Sequence, residues 1–340
     1  MKSLHIVRSS GLLPFVKFLD NIGCPVNRLL EQHKLRRDLI FNPNDYLPEH
    51  QRWLFIEQAA RLEGLKTLGG LVSLSCSVED HGLITQIAIQ QPTLEKSLQI
   101  FCFLIGKHQT RLKNKIHFTI KPPIATVSFP KYNLVDFSGH DLGEQTLLFG
   151  IFKIIQKYLG KKTKLCEFYF PDIKKLNYWR SSSLFDEQKW HLSNSCYAIT
   201  FPSNLVYTSG FWKKLEIPQS DVESWMSSQP PESFTAKINL LMPSFVEQGI
   251  IKITDIGDLI GISERTLRRR LENSGTSYRK ILEQNRLEIA QQKLLNSNDS
   301  IGEISFKLGY EYPEHFSRAF KLWTGTSPSK FRINNATATH

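Results

Sequence analysis

The stretch Gly261-Ile-Ser-Glu-Arg-Thr-Leu-Arg-Arg-Arg-Leu271 reads as a turn followed by a short two-faced helix. Gly261 supplies the positive backbone angle that lets one helix stop and another leave at a steep angle. Ser263 is an N-cap, because its hydroxyl accepts a backbone N–H that the first helical turn leaves free. Leu267 and Leu271 share a face at i, i+4 spacing, with Ile262 ahead of the cap as a staple. Arg265, Arg268 and Arg269 occupy the opposite face. One apolar stripe and one guanidinium stripe suit a helix lying in a DNA major groove, where arginine pairs bidentately with guanine. The same pattern also describes an ordinary solvated basic helix.

Flanking residues turn this helix into part of a repeated unit. Phe234–Gln248 has helical apolar spacing and stops at Gly249. Thr254 is expected to cap a helix over Asp255–Ile260, with Gly257 placed four before Gly261 where two helices cross closely. After a long helix over Tyr278–Leu295, the pattern returns. Ser300 caps Ile301–Leu308, Ser305 stands four before Gly309, and a helix runs through Phe316, Ala319, Phe320 and Trp323. Gly309 follows Gly261 by 48 positions and Arg318 follows Arg269 by 49. Two such recognition helices on one domain are expected to enter successive major grooves, about 34 Å apart.

The rest of the chain sets bounds. Its 340 residues suffice for two domains with cores, and 41% hydrophobic and 11% aromatic content mark it as globular. The net charge of +11 favours an anionic partner such as nucleic acid. Residues 234–340 hold 15 Lys+Arg against 11 Asp+Glu, a net of +4, so +7 lies upstream. Cys24, Cys76, Cys102, Cys166 and Cys196 form no C-x-x-C pair, which argues for reduced thiols without a zinc module. The N-terminus lacks an apolar signal region, and no apolar run is long enough to cross a bilayer. A cytoplasmic protein with no membrane contact is expected. No P-loop, G-x-S-x-G, H-E-x-x-H or G-x-G-x-x-G is present, so neither a cofactor nor an enzyme activity is expected. The neighbours Asp80-His81 and His140-Asp141 do not place two side chains on one catalytic face.

Upstream, helices and alternating runs mix. Leu12–Leu30 reads as two helices broken at Gly23–Pro25. Gln51–Leu68 reads as another, ended by Gly69-Gly70. Leu83–Gln90 alternates apolar and polar residues and is compatible with a strand. Thr93 caps a helix from Leu94. Lys115–Lys121 and Ala125–Phe129 form a hairpin across Pro122-Pro123, and Leu134–Phe137 is a further alternating run. Leu142–Leu159 is a helix stopped by Gly160, followed by alternating Lys164–Phe170 and Ser195–Phe201. This mixture argues for an α+β domain rather than a doubly wound sheet. From Lys153 to Lys175 seven lysines face Glu167 and Asp172 alone. They read either as complements to a helix C-terminus or as a receptor patch for an anionic effector, in which Lys161, Lys162 and Lys164 are the candidates. The polar, proline-bearing run within Trp212–Phe234 reads as a linker.

Several segments resemble the AraC/XylS transcription regulators: Arg286-Leu-Glu-Ile-Ala290, Ser300-Ile-Gly-Glu-Ile-Ser305, Leu308-Gly-Tyr310, Phe316-Ser-Arg-Ala-Phe-Lys321, Trp323-Thr-Gly-Thr-Ser-Pro328 and Phe331-Arg332. The front two-thirds is similar to the arabinose-binding-like sensor domain of the branch that contains the ornithine-utilisation regulator. That likeness rests on Leu68-Gly69, Pro92-Thr-Leu94, Glu167-Phe-Tyr-Phe-Pro171 and Leu215-Glu-Ile-Pro218. The resemblance implies base contacts from Arg265, Arg268 and Arg269, and in the second unit from the neighbourhood of Glu314, His315, Ser317 and Arg318. Lys330 and Arg332 become candidates for phosphate contacts, which position without specifying. Gly257 and Ser305 stand where the family usually has alanine, Tyr312 replaces an acidic cap, and Glu314 replaces a Ser or Thr.

The expected architecture is an α+β effector-sensing and dimerising domain at 1–211, a linker at 212–233, an all-α double helix-turn-helix domain at 234–333 and a disordered tail at 334–340. The expected function is sequence-specific transcription regulation as an effector-responsive activator. Its partners would be promoter DNA, RNA polymerase, a small anionic effector and a second copy of the chain. The alternatives are an enzyme or ligand-binding module with an accessory DNA-binding tail, or a non-specific DNA binder.

Overall fold

The computed structural model describes residues 4–42, 44–109, 112, 115–131, 140–182, 184–185, 188–210 and 219–336. Contacts divide the chain into two compact units. One is His5–Pro230; the other starts at Pro231 and includes Leu4.

The N-terminal unit opens with β1 (Ile6–Arg8), which pairs antiparallel with β2 (Tyr46–Pro48), Val7 opposite Leu47. Helices α1 (Leu13–Asn21), α2 (Val26–Gln32), α3 (Arg37–Phe41), α4 (Glu49–Leu62) and α5 (Leu68–Ser75) surround that ribbon. Phe15, Val16, Leu19, Leu30, Phe55 and Ile56 form their shared core. The break at Gly23–Pro25 separates α1 from α2 as expected. The expected helix over Gln51–Leu68 stops earlier, at Leu62, and Gly69-Gly70 do not end it. They lie inside α5 because α5 packs against the later helix α8 (His140–Leu159) too closely for side chains. A Cβ on Gly69 would stand 1.8 Å from the Leu142 carbonyl oxygen, and one on Gly70 would stand 2.2 Å from the Trp179 ring.

Next come α6 (Leu83–Ile89) and α7 (Leu94–His108). Leu83–Gln90 is therefore helical, not a strand: α6 buries Thr85, Ala88 and Ile89, which are i, i+3 and i+4 on one helix face. Thr93 caps α7 as expected, accepting from the Lys96 N–H. A sheet follows, built from β3 (His117–Lys121), β4 (Ile124–Pro130), β5 (Glu167–Phe170), β6 (Lys189–Leu192) and β7 (Cys196–Pro202) in the order β3-β4-β7-β5-β6. β3 and β4 form the expected hairpin, with Phe118 opposite Val127. β7 is antiparallel to both β4 and β5, whereas β5 and β6 run parallel. The parallel pair is joined through α9 (Ile173–Arg180), as a parallel connection requires a crossover. Leu134–Phe137 lies outside the described residues. α7, α8 and the sheet enclose a second core around Phe101, Phe149, Ile155, Phe168, Phe170 and Ile199.

Within the stretch expected as linker, Gln219–Ser227 forms α10. Trp225, 2% exposed, stacks on His108 at a centroid distance of 3.8 Å. Arg8 donates to the Trp225 carbonyl at 3.1 Å and to the Ser228 carbonyl at 2.6 Å, so the helix is tied to the first strand of its own unit.

The C-terminal unit is helical throughout its described residues: α11 (Phe234–Glu247), α12 (Ile253–Ile260), α13 (Glu264–Asn273), α14 (Tyr278–Asn296), α15 (Ile301–Lys307), α16 (Pro313–Thr324) and α17 (Pro328–Ala336). Ile238, Leu241, Phe245, Ile281, Ile289 and Leu294 are buried on the facing helices α11 and α14. α12 begins at Ile253, two residues before the start expected from a Thr254 cap. Lys252 is the capping position and contributes no side-chain bond, so Thr254 is the second helical residue. α17 runs to Ala336, into the segment expected as a disordered tail; residues 337–340 are outside the described set.

Candidate nucleic-acid interface

α12–α13 and α15–α16 are two helix pairs with matching turns. Gly261 (φ 74°) and Gly309 (φ 75°) both take the left-handed conformation that favours glycine. In the first turn the Gly261 N–H donates to the Asp258 carbonyl at 3.2 Å, and the Ile262 N–H to Gly257 at 2.9 Å. In the second, Gly309 donates to Phe306 at 2.9 Å and Tyr310 to Ser305 at 3.1 Å. The 48-residue repeat is thus a repeat of hydrogen bonds as well as of letters. Beyond the turns, the cap of α13 is two residues past Gly261, whereas the cap of α16 is three past Gly309. That extra residue explains why the second-helix positions repeat at 49. It also aligns buried Leu267 and Leu271 with buried Phe316 and Phe320.

Position 257 is a close crossing, as its spacing implied. A Cβ there would stand 2.7 Å from the Ile262 carbonyl oxygen. Ser305, its counterpart, is fully buried, and its hydroxyl finds no hydrogen-bond partner among the described residues. A side chain is accommodated in the second crossing but not in the first.

On α13, Ser263 caps the helix, accepting from the Thr266 N–H at 3.3 Å. Burial of Leu267 and Leu271 leaves Arg265, Arg268 and Arg269 exposed together. Arg268 is held by Glu264 one turn earlier, Nε–Oε1 2.8 Å and Nη2–Oε1 2.7 Å. Such an exposed i, i+4 pair contributes only about 0.3–0.5 kcal/mol, so it orients Arg268 without locking it. Arg270 turns the other way, packs over the Phe234 ring at 5.1 Å, and has its pKa lowered by burial and by Arg269. It is a packing residue.

On α16, Pro313 occupies the first helical position and Tyr312 the cap, without a side-chain capping bond. Glu314, His315 and Arg318 are exposed, Ser317 is half-buried, and the His315 ring meets Tyr312 edge-on. The structure therefore presents the second set on one helix, with an acid at its start. Lys330 is exposed on α17. Arg332 is used internally: it donates from Nε to the Leu294 carbonyl at 3.2 Å and from Nη2 to the Asp299 carbonyl at 2.7 Å. It fastens the end of α14, so its geometry supports a clamp better than a phosphate contact. Arg286, which was not singled out as a working residue, is a second clamp. It donates to the Leu308 and Gly309 carbonyls at 2.9 and 3.2 Å, and lies over the Tyr310 ring at 4.3 Å.

The lysine cluster of the N-terminal unit separates into different roles. Lys157 pairs with Glu79 at 2.8 Å, Lys153 donates to the Leu74 carbonyl at 3.3 Å, and Lys175 pairs with Asp141 and lies 3.8 Å from buried Glu144. Lys161, Lys162 and Lys164 are exposed on the 3-10 turn Gly160–Leu165 that follows α8. They do not line the cavity bounded by Phe15, Trp53, Phe101 and Gly150, nor the one beside it bounded by Arg8 and Trp225. Among the described residues no cluster of His, Cys, Asp and Glu could hold a metal ion, and no helix is long and apolar enough to cross a membrane.

The helix-turn-helix domain family matches residues 256–334. The HTH-type transcriptional regulator VqsM of Pseudomonas aeruginosa is 38% identical over 96 residues, 28% of this chain and 29% of that protein. The ornithine utilization regulator of the same organism is 40% identical over 70 residues, 21% of each. The matched stretch thus spans less than a third of the length of these relatives. Among solved structures, the transcriptional regulator CdpR from Pseudomonas aeruginosa aligns over 91% of this chain and 96% of its own, at 17% identity and a TM-score of 0.38.

Proposed function

Residues 256–334 belong to the AraC-type helix-turn-helix regulators, and from that premise we propose that the chain is a sequence-specific DNA-binding transcription regulator with two reading helices, α13 and α16. The observation that carries the reading is the repeat of turn geometry described above, with exposed Arg265, Arg268 and Arg269 on one helix and exposed Arg318 at the aligned place on the other. A helix pair kept only for packing has no need of arginines at aligned, outward positions. In this reading the three α13 arginines contact base edges, His315, Ser317 and Arg318 contact the second groove, and Lys330 contacts phosphate. Glu314 is repelled by phosphate and fits only where it accepts from a cytosine N4 amino group. α13 is therefore the stronger reader.

The N-terminal unit, His5–Pro230, serves as the effector-sensing and dimerising part, with α10 included in it, and the C-terminal part from 234 to 333 reads DNA. The protein works in the cytoplasm as an effector-responsive activator that contacts RNA polymerase, and carries no catalytic step. Footprinting of the full chain on genomic fragments tests this. Discrete protected sites covering two adjacent major grooves support it; uniform coverage of every fragment would make the protein a non-specific binder.

A further inference from the structure

The turn of the second helix pair packs on the entry of the first. Gly309, left-handed at φ 75°, lies against Ile251: a Cβ built on it would stand 3.1 Å from Ile251 Cδ1 and 3.2 Å from Ile251 Cγ2. Ile251 belongs to the approach to α12, two residues ahead of that helix. Glycine at 309 therefore serves the close approach as well as the backbone angle.

Arg286 closes this joint from α14. Its Nε donates to the Leu308 carbonyl at 2.9 Å and its Nη2 to the Gly309 carbonyl at 3.2 Å. Both carbonyls lie just past the end of α15, where no further helical turn supplies an N–H to them. A guanidinium suits the place, because its N–H groups leave in a fixed fork, whereas a lysine ammonium is a point charge on a flexible stem. The same guanidinium lies over the Tyr310 ring at 4.3 Å, so a third direction is fixed too.

The first helix pair is tied to the same helix. Tyr278, the first residue of α14, donates from its hydroxyl to the Ile251 carbonyl at 2.7 Å. Arg286 follows it by eight residues, about 12 Å along the axis. Burial pushes the Tyr278 pKa up to about 12, and the charge of Arg286 opposes that rise, so the arginine is felt at both ends of the joint. One helix thus holds the entry of the first pair by a tyrosine and the turn of the second by an arginine. The two held segments touch each other through Ile251 and Gly309.

Such a fastening bears on alignment more than on the core, which is built by Ile238, Leu241, Phe245, Ile281, Ile289 and Leu294. A recognition constellation has to be held within about 0.5 Å and 10–20° of its productive geometry. We propose that Arg286 is a positioning residue for DNA reading: together with Ile251, Tyr278 and Gly309 it fixes the second helix pair against the first, and so sets the phase at which α13 and α16 meet successive grooves. The inference rests on the two-helix reading above and names the group that keeps the two readers in register.

The test measures the affinity of the full chain for three DNAs: a mapped bipartite site, that site with one base pair inserted between its halves, and that site with its second half scrambled. One base pair moves the second half by about 3.4 Å and about 35°. The unaltered chain should lose about tenfold on the inserted site, the equivalent of one mismatched base pair. Arg286→Ala should lose about tenfold on the original site and bind the original and inserted sites equally. On the scrambled site it should stay within about twofold of the unaltered chain. In an Arg318→Ala chain, Arg286→Ala should bring no further loss, since a helix that no longer reads needs no positioning. Retained discrimination between the two spacings would make Arg286 a DNA contact and overturn the assignment; a tenfold loss on the scrambled site would do the same by showing general damage to the unit. If Arg286→Ala fails to fold, Ile251→Ala, which empties the joint from the other side, carries the same expectations. An unaltered chain that binds the scrambled site as tightly as the original would remove the two-helix reading itself, and this assignment with it.

Discussion

Arg269 is the residue on which base reading is most exposed to experiment. It lies on the outward face of α13, four positions before the end of the helix, and its neighbour Arg270 has turned inward onto Phe234. Arg269→Ala should cost about 1–3 kcal/mol in affinity for the specific site and relax preference at one base pair. Competition binding against single-base variants of the site measures both. An equal loss on all sequences would make Arg269 a phosphate contact. Individual side chains were unevenly legible in the sequence. The face of Arg265, Arg268 and Arg269 followed from i, i+4 spacing alone, because Leu267 and Leu271 had to be buried. Arg332 did not: its sequence neighbours give no sign that α14, more than thirty residues earlier, ends within reach of its guanidinium.

At the scale of elements, the two crossings make opposite demands on small residues. Gly257→Ala puts a Cβ 2.7 Å from a backbone oxygen that cannot swing aside. It should destabilise the C-terminal unit by about 1–3 kcal/mol despite alanine's better helix propensity. Ser305→Ala keeps the space filled and removes a buried hydroxyl without a partner among the described residues. It should stabilise by about 1 kcal/mol. Thermal unfolding of both variants checks the pair; a stabilising Gly257→Ala would mean that the crossing relaxes. Element types were readable where the period was long. α7, α8 and α14 announced themselves, and so did the β3–β4 hairpin. α6 was not readable, because seven residues of apolar and polar letters fit either period until packing chooses. β6 (Lys-Trp-His-Leu) alternates over only four residues, too few to mark a strand by themselves, and β5 offers it a parallel edge. α10 looked like linker because its only large apolar anchor is Trp225, and nothing in its own letters shows that His108 waits to stack on it.

At the scale of the whole molecule, charge and protonation set the working conditions. Burial, with Arg8 and Lys107 adding to it, pushes the His108 pKa down to about 4, and burial does the same to His81. Unfolded histidine titrates near 6.5. Between pH 6.5 and about 4 the unfolded chain binds more protons than the folded one, so this contribution is complete above pH 6.5 and is lost as pH falls. The thermal midpoint of the N-terminal unit should drop between pH 7 and pH 5; a flat profile would show that neither ring is held neutral. The C-terminal part is only mildly basic at +4, so in the proposed reading DNA affinity rests on a few placed arginines and not on a general positive field. Placement is what two reading helices in one domain provide, and helical phase tests it. Once a bipartite site is mapped, affinity is measured for that site and for one with five base pairs inserted between its halves. Five base pairs are about half a turn of DNA, which moves the second half to the opposite face. The expected result is at least a tenfold loss of affinity, and no such loss in an Arg318→Ala variant that no longer reads the second half. Equal affinity of the unmodified chain for the original and the five-base-pair sites would contradict reading by two helices.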